Sequence, residues 1–321
     1  MHIVIPDDYQ HVVRTLDCFN LLEGHEVSVY HDYCSDPDSL ARRFEDAECL
    51  VLTRERTCVG ASLLARLPGL KLISQTGKIS NHLDLQACTA HGVAVAEGQG
   101  SPVAPAELAW SLILNSRRML PQAIQAMKAG LWQVNIGRAL KGQVLGIWGF
   151  GKIGRRVAQY ARAFDTPVLV WGSEASRRAA VDAGFQAAES REAFFREADI
   201  LSLHLRLTDS TRHLIGVEDL ACMKPDALLV NISRAELIAP GALLESLRHG
   251  RPGFAALDVY EQEPVVDRLD PLLQMPNVLC TPHLGYVERD SYELYFGQAF
   301  ANAVSFAAGQ PQQIANPEVL R

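Results

Sequence analysis

The length and composition of this chain are those of a globular protein with more than one domain. Its 321 residues exceed the roughly 250–300 at which a single hydrophobic core stops growing. A formal net charge of −7 gives no electrostatic reason to bind nucleic acid or an anionic membrane. No apolar run approaches the roughly 18 residues that a membrane-spanning helix needs, and seven scattered cysteines suit neither a disulfide framework nor a zinc site. We therefore expect a cytoplasmic protein with no metal, no nucleic-acid partner and no membrane contact.

Short apolar runs alternate with helix-like stretches over the first hundred residues. Strands are predicted over HIVIP, EVSVY, CLVLT and LKLIS. Helices are predicted over HVVRTLDCFNLLEG, SLARRFEDA and SLLARLPG. Alternation of this kind is typical of a parallel sheet covered by helices.

A second alternating series follows a long helical stretch that begins near Ser101. That stretch predicts one helix, or a helix pair broken near Pro121. The later strands are predicted over VLGIWGFG, PVLVWG, ILSLHL, ALLVNIS, GFAALDV and NVLC, and a last helix ends near Gly309. We expect an α/β protein of two doubly wound, Rossmann- or flavodoxin-like parallel-sheet domains with a cleft between them. Residues 1–100 and 288–321 would form the first domain, since the second series is complete by Cys280, and residues 101–287 the second.

A glycine-rich turn follows the first strand of the second series. Gly149, Gly151 and Gly154 form G-x-G-x-x-G between the run VLGIW and the helix-like KIGRRVAQYARAFD, which is the context that a dinucleotide-binding turn requires. The three glycines allow a tight turn, close approach of a pyrophosphate and packing of helix on strand, and the helix N-terminus would face the phosphates. A packed turn without a ligand is the alternative. The predicted cofactor-binding residues here are Gly149, Phe150, Gly151, Lys152, Ile153 and Gly154.

The strand after this turn bears on the choice between NAD and NADP. An acidic residue that binds the ribose 2′-hydroxyl is expected about 20 residues after the turn. Gly172 and Ser173 occupy that place, and Glu174 comes slightly later. Arg177 follows, and Arg206 comes after a later strand; guanidinium groups suit a 2′-phosphate. The sequence leaves both cofactors open and favours NADP, with Ser173, Arg177 and Arg206 as candidate contacts.

Three further residues of catalytic type follow consecutive predicted strands. Arg234 follows LLVNIS, Glu263 follows FAALDV and His283 follows NVLC. Ligands of open α/β sheets bind beyond the carboxyl ends of the strands. Singly, these residues could be a surface arginine, a solvated glutamate and a buried histidine. Together, beside a dinucleotide turn, they predict one active site.

With these residues in place, the sequence resembles the D-isomer-specific 2-hydroxyacid dehydrogenases. The resemblance rests on ordered segments over essentially the whole chain: LPGLKLISQTGKISNHLD, VAPAEL, GFGKIG, LHLRLTDSTRHLI, LVNISRAELI, LDVYEQEP, TPHLG and NPEVL. It implies an NAD(P)-dependent oxidoreductase that moves a hydride between nicotinamide C4 and C2 of a small D-2-hydroxy or 2-oxo acid. Arg234 would bind the substrate carboxylate, His283 would carry the proton and Glu263 would fix its tautomer. Asp258 would bind the nicotinamide carboxamide, and residues 105–132 would form a homodimer interface.

The resemblance also implies substrate-binding groups in the first domain. In the segment QTGKIS, Gly77 and the residues after it would bind a carboxylate through backbone N–H groups. Lys78 and Ile79 stand where relatives have a second glycine and a small neighbour, so we expect a cation near the substrate or a narrower pocket. Arg54 matches a substrate-binding arginine of some relatives, with a solvated edge charge as the alternative. Tyr286 replaces a small residue, and its phenol is expected to line the active site.

A second function class is open to the same sequence. Some relatives are transcriptional co-repressors that sense a dinucleotide, and a fold alone does not settle function. The set of Arg234, Glu263 and His283 favours turnover, because a sensor needs only the glycine turn.

Overall fold

The computed structural model describes residues 1–320, and the chain forms two compact units. Unit 1 combines Met1–Ser101 with the chain from Glu288 onward, and unit 2 is Pro102–Val287. Each unit contains one sheet in which all strands are parallel. Two parallel-sheet α/β units are the fold that the alternation of strands and helices predicts.

Unit 1 has a five-stranded sheet in the order β2-β1-β3-β4-β5. Its strands are β1 (His2–Ile5), β2 (Glu26–Val29), β3 (Cys49–Leu52), β4 (Leu72–Gln75) and β5 (Ala94–Ala96). The helices between them are α1 (Pro37–Phe44), α2 (Ala61–Leu64) and α3 (Leu85–Ala90). Strands β3 and β4 are buried along their whole length, as expected for a sheet covered on both faces.

Unit 2 has a seven-stranded sheet in the order β12-β11-β10-β9-β6-β7-β8. Its strands are β6 (Leu145–Trp148), β7 (Val168–Trp171), β8 (Gln186–Ala187), β9 (Ile200–Leu203), β10 (Leu228–Asn231), β11 (Phe254–Leu257) and β12 (Val278–Cys280). Its helices are α4 (Val103–Arg117), α5 (Leu120–Lys128), α6 (Lys152–Ala163), α7 (Glu174–Asp182), α8 (Arg191–Glu197), α9 (Val217–Ala221), α10 (Ala242–Arg248) and α11 (Pro271–Gln274). Two hydrophobic clusters lie in this unit, one around Ile147 and Val157 and the other around Phe194 and Leu201.

The long helix α12 (Arg289–Ala307) returns the chain to unit 1. It packs on β4, where the Ser74 hydroxyl donates to the carbonyl of Ala299 at 2.8 Å. The predicted helical stretch after Ser101 is a helix pair, α4 and α5, because Met119 between them is left-handed with φ 51°. Among residues 1–320, no helix combines the length and the apolarity that crossing a bilayer requires.

One predicted helix is wrong. The segment HVVRTLDCFNLLEG forms two short 3-10 helices, Val13–Thr15 and Asp17–Leu22. The Asp8 carboxylate accepts from the backbone N–H groups of Val12 and Val13, at 3.0 and 3.3 Å. The Glu293 carboxylate accepts from those of Asp17 and Cys18, at 2.7 and 2.9 Å. These tertiary hydrogen bonds satisfy donors in two separate turns, so the apolar spacing does not produce one continuous helix.

Candidate active site

The sheet of unit 2 brings the predicted site residues to one edge. Arg234, Glu263 and His283 follow β10, β11 and β12, which are adjacent strands. The glycine turn follows β6, whose neighbours are β9 and β7. The chain runs from β6 through β7 to β8 and then crosses to β9 on the other side, so the strand order reverses between β6 and β9. Such a reversal creates the crevice at which open α/β sheets bind ligands.

The glycine turn has the geometry of a dinucleotide cradle. Gly149 has φ 101°, and a side chain there would place its Cβ 2.6 Å from the carbonyl oxygen of His204. At Gly154 a Cβ would overlap the carbonyl oxygen of Gly149. At Gly151, by contrast, a Cβ would meet no atom within 4 Å. Two glycines are therefore required by the fold of the turn, while the third leaves open space where a pyrophosphate would approach.

Among the residues between these glycines, Phe150 lies in the core, and Lys152 and Ile153 begin a helix. The Phe150 ring is buried and lies 5.7 Å from the Phe185 ring, so only the backbone of Phe150 is available to a ligand. Lys152 and Ile153 begin α6, whose N-cap residue is Gly151 and has no side-chain cap. Uncapped N–H groups at a helix start suit a phosphate. This donor set fits a dinucleotide.

The carboxyl end of β7 abuts the glycine turn. The Gly149 N–H donates to the Trp171 carbonyl at 3.0 Å. Gly172 follows with φ 146°, and Ser173 caps α7 by accepting from the Ser176 N–H at 3.2 Å. The Arg177 guanidinium stacks 4.7 Å from the Trp171 ring centroid. One predicted arginine therefore lies at the strand end that follows the turn.

The remaining candidates for this region lie on the surface. Arg206 is exposed after β9, and Glu174 is exposed in the first turn of α7. Exposure alone does not identify a contact with the cofactor. A contact of Arg206 with a 2′-phosphate, or of Glu174 with a ribose hydroxyl, therefore stays a prediction.

The histidine and glutamate that are predicted to be catalytic are in direct contact. Because a carboxylate only accepts, His283 donates its Nδ1–H to Glu263 Oε2, at 2.6 Å. The other Glu263 oxygen accepts from the Tyr260 N–H at 3.0 Å. The two side chains are 20% and 18% exposed. This arrangement fixes the tautomer of His283 and leaves Nε2 as the atom that can exchange a proton.

The loop that carries His283 is tightly held. His283 itself has φ 52°, and the Thr281 N–H donates to the Leu257 carbonyl at 2.9 Å. Asp258 is fully buried and accepts hydrogen bonds from this loop. The Tyr286 ring lies 5.6 Å from the His283 ring, edge to face. The predicted phenol thus lies beside the histidine, although Tyr286 is itself largely buried.

Arg234 depends on a residue that the sequence reasoning missed. The buried Asn231 side chain donates to the Arg234 carbonyl at 2.9 Å and accepts from the Ser233 N–H at 3.0 Å. Arg234 is half-buried, and its Nη1 donates to the Ser233 carbonyl at 2.6 Å. Asn231 therefore shapes the turn that presents the guanidinium. An asparagine that ends an otherwise apolar strand, LLVN, was the available signal.

The first-domain candidates lie together in unit 1. Arg54 donates from Nη1 to the Thr76 carbonyl at 3.2 Å and lies 5.3 Å from the Tyr295 ring centroid. A Cβ on Gly77, which has φ 100°, would overlap this guanidinium. Arg54 is thus packed against the QTGKIS loop, and its role in substrate binding stays a prediction.

The side chain of Lys78 has an acidic partner within its own unit. Lys78 pairs with Glu97, and the Ile79 N–H donates to the second oxygen of the same carboxylate at 3.4 Å. The positive charge is therefore balanced within unit 1. One N–H group of the predicted anion-binding turn is also engaged by Glu97.

Comparisons with known proteins extend over both units. A family profile described as "D-isomer specific 2-hydroxyacid dehydrogenase, NAD binding domain" matches residues 110–285. A glyoxylate reductase from Aeropyrum pernix is 34% identical over 94% of this chain and 92% of its own length. A D-3-phosphoglycerate dehydrogenase from Methanocaldococcus jannaschii is 36% identical over 77% of this chain, which spans 47% of that protein. The crystal structure of a phosphoglycerate oxidoreductase from Vibrio cholerae has a TM-score of 0.94 at 55% identity, covering 96% of this chain and 99% of that one.

The different surroundings of two glycines give a matched pair of variants. Gly154→Ala forces a methyl group against the Gly149 carbonyl and should destabilise the fold by about 1–3 kcal/mol. Gly151→Ala, with open space around it, should unfold at the wild-type temperature yet bind NADH about tenfold more weakly, because its methyl group takes the place of the pyrophosphate. Thermal unfolding and a fluorescence titration with NADH measure the two effects. Wild-type affinity in Gly151→Ala would contradict this assignment of the turn.

Proposed function

The chain belongs to the D-isomer-specific 2-hydroxyacid dehydrogenases, an oxidoreductase family with a nicotinamide-dinucleotide-binding domain, and we propose that it interconverts a small 2-oxo acid and the D-2-hydroxy acid. The observation that carries this proposal is the 2.6 Å contact between His283 and Glu263. It lies at the same sheet edge as the glycine turn. A dinucleotide sensor of the co-repressor type needs the turn and has no use for an oriented proton carrier.

Each candidate residue of unit 2 has a separate role in the proposed reaction. The glycine turn and the start of α6 would hold the dinucleotide, which supplies or accepts the hydride at nicotinamide C4 when bound. His283 gives a proton from Nε2 to the substrate oxygen during reduction and takes it back during oxidation. Glu263 keeps the ring in the required tautomer. Arg234 binds the substrate carboxylate with a planar fork that lysine cannot reproduce.

Unit 1 is assigned to substrate binding. Gly77, Lys78 and Ile79 form its carboxylate-binding loop, with Arg54 packed against it. Tyr286, near the C-terminal end of unit 2, has its ring 5.6 Å from that of His283 and limits the size of the substrate. The names of the relatives support two substrate classes, glyoxylate and D-3-phosphoglycerate.

We propose NADPH as the preferred cofactor. The strand that follows the glycine turn ends in Trp171, Gly172 and Ser173, so no carboxylate there repels a 2′-phosphate. Arg177 is held on the Trp171 ring at that strand end, and Arg206 is the second candidate. Guanidinium groups suit a phosphate.

We propose a homodimer in which α5 and the segment after it form the interface. Apolar side chains are exposed in a row along this stretch, which is unusual on a monomer surface. Trp132 is 74% and Ile136 is 93% exposed. The other members are Leu120, Ile124, Met127, Leu131 and Val134. A second copy of the chain would remove this surface from water.

A reducing compartment, the cytoplasm, is proposed on the basis of the cysteines. All seven are free thiols, and Cys49 and Cys88 are buried. Burial raises the pKa of Cys88 to about 12, so this thiol stays protonated at neutral pH and contributes only packing.

The reaction is tested with a substrate panel and one pair of histidine variants. Wild-type protein should reduce glyoxylate or oxidise D-3-phosphoglycerate with a change in nicotinamide absorbance. His283→Ala should lower kcat by about 10²-fold or more, the contribution of a general acid or base, with unchanged NADPH affinity. His249→Ala, on the surface at the end of α10, is the control and should keep wild-type kcat. Binding of the dinucleotide without turnover of any panel member would instead support the sensor.

The cofactor assignment is tested by removing the arginine. Arg177→Ala should weaken NADPH binding by about tenfold, because a hydrogen bond to a charged group contributes about 1.5–3 kcal/mol. NADH binding should be unaffected. The exposed neighbour Arg178→Ala is the matched control. Gly172→Asp is a poor alternative, since φ 146° is strained for any residue with a side chain. A wild-type protein selective for NADH would overturn the assignment.

The oligomer is tested by placing a charge in the apolar row. Trp132→Glu should convert a dimer into a monomer of 35.3 kDa, because an unpaired carboxylate in a buried interface is costly. Val266→Glu, at a residue 78% exposed outside this row, is the control and should remain dimeric. Light scattering after size exclusion gives the masses. A monomeric wild-type protein would reject the proposed interface.

A further inference from the structure

One carboxylate of unit 1 contacts the loop that is assigned to substrate binding. Glu97 Oε1 pairs with the Lys78 ammonium group, and Glu97 Oε2 accepts from the Ile79 N–H at 3.4 Å. The two donors are consecutive residues of the QTGKIS segment. A side chain of the protein itself therefore occupies one ammonium group and one backbone N–H group of the turn that the sequence predicts to bind an anion.

The backbone of Glu97 is fixed beside the same loop. Glu97 directly follows β5, and its N–H donates to the Gln313 carbonyl at 3.1 Å. The Gly98 N–H donates to the Gly77 carbonyl at 2.8 Å. A Cβ on Gly98 would lie 3.2 Å from the Gly77 nitrogen, so the glycine allows the two segments to approach closely. The sheet of unit 1 thus holds the Glu97 carboxylate within reach of the loop.

The two contacts of Glu97 are of the kind that a substrate carboxylate makes. A carboxylate accepts hydrogen bonds from N–H groups and pairs with cations. The side chains of Lys78 and Glu97 are 61% and 26% exposed, so an anion in solution reaches the same ammonium group. Ion pairs between exposed side chains contribute little. Glu97 is therefore an occupant that a substrate carboxylate can displace, with some loss of affinity.

A second ion pair in unit 1 has the same pattern and serves as a reference. Glu48 pairs with Lys71 at 2.7 Å and accepts from the His2 N–H at 3.0 Å. Lys71 is 61% exposed, as Lys78 is. His2 begins β1 and Lys71 directly precedes β4, whereas the QTGKIS loop follows β4. Because the strands are parallel, the two ion pairs lie at opposite edges of the sheet.

We propose that Glu97 competes with the substrate carboxylate for the loop Gly77–Ile79 and thereby sets the affinity for the substrate. While Glu97 holds both donors, the charge of Lys78 is balanced, and a substrate carboxylate binds there only when Glu97 leaves. This inference rests on the proposed function, which assigns the loop to the substrate. Removal of the Glu97 charge should therefore strengthen substrate binding, whereas removal of a ligand or of a structural contact would weaken it.

The test uses two variants of Glu97 and a matched control. Glu97→Gln removes the charge and keeps an oxygen that accepts from the Ile79 N–H. Glu97→Ala removes both contacts, and it decides the question if an amide at this position disturbs the loop. Glu48→Gln breaks the reference ion pair in the same way at the opposite edge of the sheet. Thermal unfolding shows whether each variant is folded.

Steady-state kinetics with saturating cofactor measure the competition. KM for glyoxylate or D-3-phosphoglycerate should fall about threefold in Glu97→Gln, because an exposed ion pair contributes little. It should fall about tenfold in Glu97→Ala, which also frees the Ile79 N–H. The value of kcat should stay within about twofold, since the ground state and the transition state gain the same contact. Glu48→Gln should keep the wild-type KM and kcat.

Anion binding to the protein without cofactor is a readout independent of turnover. The probe is oxamate, an unreactive analogue of a 2-oxo acid that carries a carboxylate, and the signal is the NMR shift of the Ile79 amide. The oxamate concentration at half-saturation should fall by the same factors as KM, about threefold in Glu97→Gln and about tenfold in Glu97→Ala. Combining Lys78→Met with Glu97→Gln should remove the threefold gain, because the freed ammonium group is its source.

The outcomes separate this proposal from the proposed function. An unchanged or higher oxamate half-saturation in both Glu97 variants would make Glu97 a structural contact of the loop and overturn the proposal. A gain that persists in the combination with Lys78→Met, or that Glu48→Gln reproduces, would also overturn it. If wild-type protein turns over no 2-oxo or 2-hydroxy acid, the proposed function fails, while the oxamate titration still decides whether Glu97 competes for the loop.

Discussion

The parallel pairing of β10, β11 and β12 is the constraint on which the site depends. Each pairing is in register along the strands, so the three chain segments that leave them start at the same edge of the sheet. A single reversed strand would send one of Arg234, Glu263 and His283 to the opposite edge. The order and direction of the strands thus bring the three segments together, whatever side chains they carry.

Two carboxylates after the same strand have different roles because their surroundings differ. Asp258 is fully buried and accepts from a hydroxyl and two N–H groups. Glu263 is 18% exposed and accepts from Tyr260 and from the ring of His283. The first carboxylate accepts from the loop on both sides of His283, and the second accepts from the ring of His283 itself. A buried carboxylate without such donors would be costly, which explains why the loop and Asp258 must fold together.

Sequence alone determined the architecture and the chemical class. Apolar runs of strand length alternate with helical stretches, and this local pattern predicts parallel sheets because each run must be buried on both faces. The glycine spacing is equally local, since the tight turn and the helix start involve only neighbouring residues. Arg234, Glu263 and His283 could be placed at one edge of the sheet because each follows a recognisable strand. Short strands of weakly apolar residues, such as Gln186–Ala187, gave no such pattern and were missed.

Tertiary structure decided the features that depend on hydrogen bonds between distant parts of the chain. Asp8 and Glu293 divide a predicted helix into two 3-10 turns, and Glu97 balances the charge of Lys78. Asp258 acquires its three donors from a loop that follows another strand. Sequence spacing carries no information about such partners, because they meet only when the sheet has brought remote residues together. Local pattern therefore determined which residues reach the site, and the folded sheet determined what holds each of them there.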